Sequence, residues 1–147
     1  MDRNYTVQTK INCSVDKAFE AVVNKDIMTE YFADQTDNSL VEGATVVWNW
    51  SNWGDHPVTV KRVVANSLIE LELDSKVWKK TPEKSYPVTV TMEFESLGED
   101  SMLLKISESG WLTDETGLKG SHDNCSGWTH MAMCLKGYLE HGLDMRK

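Results

Sequence analysis

Three groups of side chains in this 147-residue sequence have types and spacing that could do chemistry. The first is a single carboxylate. Met102, Leu104 and Ile106 alternate with Leu103, Lys105 and Ser107, and Glu108 continues the apolar side of that pattern. An ionised carboxylate there is costly unless paired, and its pKa moves upward. Such a group could anchor a ligand amine or hydroxyl, or act as general acid or base. Arg62 continues the parity of Val58 and Val60 and is a candidate partner, although a bulge or strand end would return either side chain to solvent. In the second group, His122, Asp123 and Cys125 crowd into HDNC, too closely for a recognised zinc spacing. They are read as capping and loop closure, with His122 at the rim of a cavity. The third is the line His130, Cys134 and His141. Its histidines are about 16 Å apart along a helix, too far for one ion, so a solvated face is expected.

The motifs that would place a serine hydrolase, a zinc protease, a dinucleotide site or a phosphate loop are missing. Tryptophan is abundant instead: Trp48, Trp50, Trp53, Trp78, Trp111 and Trp128. Indoles give a cavity flat apolar walls with one N–H donor each, and they equally serve as plain core. Trp48, Trp50 and Trp128 suit packing, whereas Trp53 and Trp78 fall in turns and mark a cavity mouth or a partner surface.

The elements that must position these residues can be read from periodicity. Tyr5 to Cys13 alternates as a strand, and Ser14 opens a short helix through Val15, Ala18, Phe19 and Val22. Asp26 is placed to cap a second short helix ending at Tyr31 and Phe32. From Ala33 to Ala44 the chain is polar and turn-prone, a loop that could move. Strands follow over Thr45–Ser51, Val58–Ala65, Ser67–Asp74, Val88–Glu95 and Met102–Gly110. Asp123 to Gly142 reads as one amphipathic helix, capped by Asp123 or Asn124 and stopped by Gly142, with Trp128, Met131, Leu135 and Leu139 on its apolar stripe. The fold class is therefore α+β: a curved antiparallel sheet of about six strands, two short helices after the first, and a long C-terminal helix on the apolar face.

The length suits one domain over residues 1–147. A net charge of −8 without a basic block argues against nucleic acid or an anionic membrane surface as partner. There is no long apolar run or signal-peptide core, which predicts a cytoplasmic protein. Cys13, Cys125 and Cys134 are odd in number with no C-x-x-C pair, so reduced thiols are expected and no cofactor or metal is implied.

The order of elements, with VQTKINCSVDKAFEAV, DIMTEYFA and HDNCSGWTHMAMCLKGYLEHG, resembles the START-like helix-grip superfamily, also called SRPBCC or Bet v 1-like. Within it the chain is similar to the branch named after the activator of heat-shock protein 90 ATPase. It departs in carrying Tyr31-Phe32 where tryptophan is usual and Gly43-Ala44 where paired glycine is usual. The resemblance implies a cavity between sheet and helix that holds a small hydrophobic, lipid- or polyketide-like ligand. From the sheet, its lining is expected to be Trp48, Trp50, Val60, Leu71, Met92, Phe94, Ile106 and Glu108. The last helix would add Trp128, Met131 and Leu135. Tyr31, Phe32, Trp53, Trp78, Trp111 and His122 are expected at the rim. A non-catalytic binding role is expected first. A co-chaperone-like protein-interaction module comes second, and a cyclase- or aromatase-like enzyme using Glu108 third. The oligomeric state is left open.

Overall fold

The structure, a computed structural model, describes residues 2–147. Its strands are β1 (Arg3–Ile11), β2 (Gln35–Thr36), β3 (Thr45–Trp50), β4 (Gly54–Val64), β5 (Leu68–Asp74), β6 (Pro87–Gly98) and β7 (Ser101–Ser109), with helices α1 (Val15–Val23), α2 (Lys25–Met28) and α3 (Glu115–His141). The strands form one antiparallel sheet in the order β1-β7-β6-β5-β4-β3-β2. The strand beyond the six expected is β2, two residues that pair Gln35 with Asn49 and Thr36 with Trp48. A segment that short has no alternation to read.

One face of the sheet is apolar because strand side chains alternate. Residues opposite one another in an antiparallel ladder share a face, so the pairs Val60–Leu71, Leu71–Val90, Val90–Glu108 and Glu108–Tyr5 make one row across five strands. α3 lays Met131, Ala132 and Leu135 on this face, and all three are buried. The expected helix-grip architecture is what is found.

Four local expectations need correction. β4 carries a register shift between Val60 and Arg62, where Lys61 is the extra residue; Arg62 is thrown to the exposed side and cannot pair with Glu108. α3 starts at Glu115, well before Asp123, and its cap is Asp114, whose carboxylate accepts from Gly117 N at 2.9 Å. Two glycines disguise those first turns, yet close packing requires them. A Cβ on Gly117 would lie 2.1 Å from Leu112 O, and one on Gly120 would lie 2.7 Å from Trp111 Cζ3. Gly142 closes the helix in the left-handed conformation, as expected. The second helix is capped by Asn24, which accepts from Asp26 N at 2.9 Å, and Asp26 itself lies in the first turn.

The fourth correction concerns the stretch after α3. It folds back over the helix, so Cys134 is only 1 % exposed and Gly137 is buried beneath Met145. Only His130 and His141 of the expected solvated line remain exposed. Arg146 donates to Ala33 O at 2.9 Å and to Thr29 O at 2.8 Å. This clamp holds one end of the segment expected to move. Within that segment, Asp34 accepts from Ser51 N at 2.7 Å, Leu40 N donates to Val23 O at 3.0 Å, and Ala33 and Leu40 are buried.

Candidate functional site

Glu108 lies between Val90 and Tyr5 in the cross-strand row and is fully buried. Among the described residues no cation reaches it; four neutral donors do. Tyr5 Oη and Trp111 Nε1 (2.7 Å) donate to Oε1, while Asn124 Nδ2 (3.0 Å) and Trp128 Nε1 (2.9 Å) donate to Oε2. Burial pushes the Glu108 carboxyl above the usual range, and the donated hydrogen bonds oppose that rise. Burial beside this carboxylate also drives the Tyr5 phenol up, so Tyr5 stays a donor. Each carboxylate oxygen takes two donors, which fills the lone-pair sites of the group. Glu108 thus ties β1, β7, the following Trp111 and α3 together, and is spent on structure rather than facing open space.

On the far side of Asn124 and Trp128 opens a groove of about 1150 Å³. Its walls come from the middle of α3, the β3–β4 hairpin, the loop after β5, the residues following α2, and the tail after α3. Aromatic rings line it in sequence. Phe32 meets Trp50 at 4.9 Å and Trp128 at 6.2 Å, and Trp128 meets Trp78 at 6.3 Å. His56 closes the circle, at 5.1 Å from Trp78 and 5.3 Å from Trp50. Two anchors fix the indoles: Trp50 Nε1 donates to Phe32 O at 2.9 Å and Trp78 Nε1 to Pro57 O at 2.8 Å. Trp53 stands at the mouth, 63 % exposed.

Charged side chains also border the groove. Arg146 lies 3.5 Å from Asp34 and Lys80 lies 3.9 Å from Asp123. Lys79 Nζ donates to Trp53 O at 3.0 Å, holding the hairpin turn. Lys79 adopts φ 63°, a left-handed conformation that non-glycine residues rarely take and that rigid surroundings must impose.

The residues singled out from the sequence fall in different places. Trp50, Trp128, Tyr31, Phe32, Trp53 and Trp78 line the groove. Val60, Leu71, Met92, Phe94, Ile106, Met131 and Leu135 are buried in the core beneath it. Trp48 backs the wall, edge-on to Phe32 and Trp128. Trp111 is buried with Glu108 and Tyr86, away from the groove, and His122 is exposed on α3 while its neighbour Asp123 reaches the rim. His56 also borders the groove and lies outside the strand expected over Val58–Ala65, since β4 begins at Gly54. Carrying the parity of Val60 and Val58 back one step would have placed it on the inner face. Among the described residues, no group of three or more metal-ligating side chains could hold an ion, and no helix is long and apolar enough to cross a membrane.

Residues 12–140 match the profile of the family described as Activator of Hsp90 ATPase homolog 1-like protein. A search of curated proteins by sequence gives no match. Solved structures share the fold at low identity. The Aha1 dimer from Colwellia psychrerythraea is 18 % identical with a TM-score of 0.77, over 97 % of this chain and 98 % of that one. The protein SSP2350 from Staphylococcus saprophyticus is 21 % identical with a TM-score of 0.74, over 97 % and 96 %. DynU16, described as a putative protein in the dynemicin biosynthetic locus, is 16 % identical with a TM-score of 0.78; the match spans 97 % of this chain and 49 % of that one.

Proposed function

The chain belongs to the family of Activator of Hsp90 ATPase homolog 1-like proteins, and within that family we propose that it binds a flat apolar or aromatic small molecule without transforming it. The observation that carries this reading is the ring of aromatic side chains around a groove of about 1150 Å³. Indole and phenyl faces offer a planar guest stacking and edge contacts at separations that aromatic pairs favour. Asp34 and Asp123 are paired with Arg146 and Lys80, and Lys79 is hydrogen-bonded to Trp53 O, so a neutral guest meets no unpartnered carboxylate. The guest would lie against Trp50, Trp78 and Trp128, toward one end of the sheet–helix seam.

Glu108 acts here as a positioning residue, holding Trp128 and Asn124 in the wall. Its use as a general acid or base would require first displacing one of its donors. A protein-interaction role rests on a different feature, the exposure of Trp53 at the mouth. Titration of tryptophan fluorescence with naphthalene- and anthracene-type compounds and with fatty acids tests the main reading. Saturable quenching by the planar compounds, weakened in Trp78→Ala, is the expected result. A flat response across the panel, with stimulation of a chaperone ATPase by the same preparation, would favour the interaction role.

A further inference from the structure

His56 is a polar side chain wedged between two indoles, its ring at 79° to Trp50 and 90° to Trp78. Its Nδ1 lies 3.1 Å from Gly54 O. A carbonyl oxygen only accepts, so Nδ1 carries the proton, and in the neutral ring Nε2 keeps its lone pair. Among the described residues that atom has no hydrogen-bond partner. The unpartnered side-chain polar atoms that are fully sealed are Trp48 Nε1 and Ser101 Oγ, so His56 Nε2, in a residue 9 % exposed, retains access to open space. The space bordering His56 is the groove.

The surroundings of the ring, burial first, favour its neutral form. Burial holds the His56 pKa below the ordinary imidazole value, and Lys79 and Lys80 push in the same direction. The bond to Gly54 O and the Asp55 carboxylate oppose them. The remaining charged groups of the groove, Asp34, Asp123 and Arg146, are engaged in the rim pairs described above.

We propose that His56 Nε2 is the specificity element of the groove, an acceptor that selects flat aromatic molecules bearing a hydroxyl or N–H donor at their edge. This rests on the ligand-binding reading of the groove and narrows it to a class. Aromatic walls alone tell isosteric guests apart poorly, whereas a fixed polar atom disfavours any guest that covers it without pairing it. Lys79 and Lys80 beside the ring disfavour aliphatic amines as the donor. A phenol, an enol or an indole N–H satisfies both the lone pair and the surrounding charge.

The test compares 2-naphthol with 2-methoxynaphthalene, which share a ring system and differ in the donor, by calorimetry at pH 7.5. The wild-type protein is expected to prefer 2-naphthol by about tenfold. His56→Phe keeps an aromatic ring between Trp50 and Trp78 and is expected to reduce that preference to about twofold or less, with 2-methoxynaphthalene still bound. As a check on unaltered protein, 2-naphthol should shift the His56 Nε2 resonance in nitrogen NMR and 2-methoxynaphthalene should not. Equal affinity of the wild type for both compounds, or an equal Nε2 shift with both, would overturn the assignment while leaving the groove a binding site. If neither compound binds the wild type, the binding reading of the groove fails and the role of His56 fails with it.

Discussion

Trp128 Nε1 donates to Glu108 Oε2 at 2.9 Å across the seam between β7 and α3. The same indole presents its ring to the groove, where it meets Phe32 and Trp78. The shape of the groove wall is therefore set by a buried carboxylate that does not itself face the groove.

Glu108→Gln tests that coupling. The amide keeps the shape but replaces one oxygen with an NH₂ that confronts two donors. Leaving buried donors unpaired costs on the order of 2–4 kcal/mol, and urea denaturation should register a loss of that size. Binding of a planar guest should weaken in parallel as Trp128 loses its anchor. A variant as stable as wild type would mean that water or a rearranged Tyr5 satisfies the site.

Acid should destabilise the protein in a window set by His56. Its folded pKa is lowered from the ordinary 6.5. As pH falls below about 6.5, the unfolded chain takes up a proton that the folded chain refuses. The unfolded state then binds more protons, so stability falls with pH until the folded pKa is passed. Thermal melts between pH 7.5 and 5 should show this slope, and His56→Phe should flatten it. An unchanged slope in the variant would assign the effect elsewhere.

The parts of this chain that could be read in advance are those where one face is buried along a whole element. Alternation in Val88–Phe94 and Met102–Glu108 gave both the strands and the inward direction of Glu108, because a strand buried on one face cannot slip by a residue without exposing its core. Arg62 broke the same rule: one extra residue, Lys61, reverses parity, and nothing local announces it. The start of α3 was hidden because its first turns bury glycines against Trp111 and Leu112, a long-range demand with no periodic trace. Cys134 seemed solvated because the segment that covers it follows the helix and packs by single contacts, Met145 on Gly137 and Arg146 on Thr29 and Ala33. The aromatic groove was legible as composition, but its place beside the core depends on how the hairpin, the Trp78 loop and the tail meet.

Two glycines of α3 should respond oppositely to alanine. At Gly127 a Cβ would meet nothing within 4 Å, so Gly127→Ala should stabilise by about 0.5–1 kcal/mol through helix propensity. At Gly120 it would meet Trp111 Cζ3 at 2.7 Å and Lys80 Cβ at 3.1 Å. Trp111 is held by its bond to Glu108 and cannot easily yield, so overpacking of about 1–3 kcal/mol should outweigh the propensity gain. Melting curves of the two variants decide the matter, and a gain at both positions would contradict the packing around Trp111.

The tail clamp should be separable from the core by a double-mutant cycle. Arg146 joins the tail to the end of α2 and to Ala33, and Asp144 accepts from its Nε and from its Nη2, each at 2.9 Å. Those bonds hold the Asp144 carboxyl down to about 2 from its ordinary 3.8. A carboxyl with a depressed folded pKa contributes stability that is fully present above about pH 4 and is lost as pH falls through about 2. Arg146→Ala should therefore cost about 1–2 kcal/mol at pH 7, a modest figure because the pair is partly solvated. It should also speed amide exchange at Phe32 and Asp34, where the guanidinium no longer pins the backbone. Asp144→Asn should cost less, since Arg146 keeps both carbonyls. The double variant should lose less than the sum, because removing Arg146 already leaves Asp144 without its partner. Strict additivity would show that Asp144 and Arg146 act on the tail independently, and the clamp would then reduce to the two carbonyl bonds.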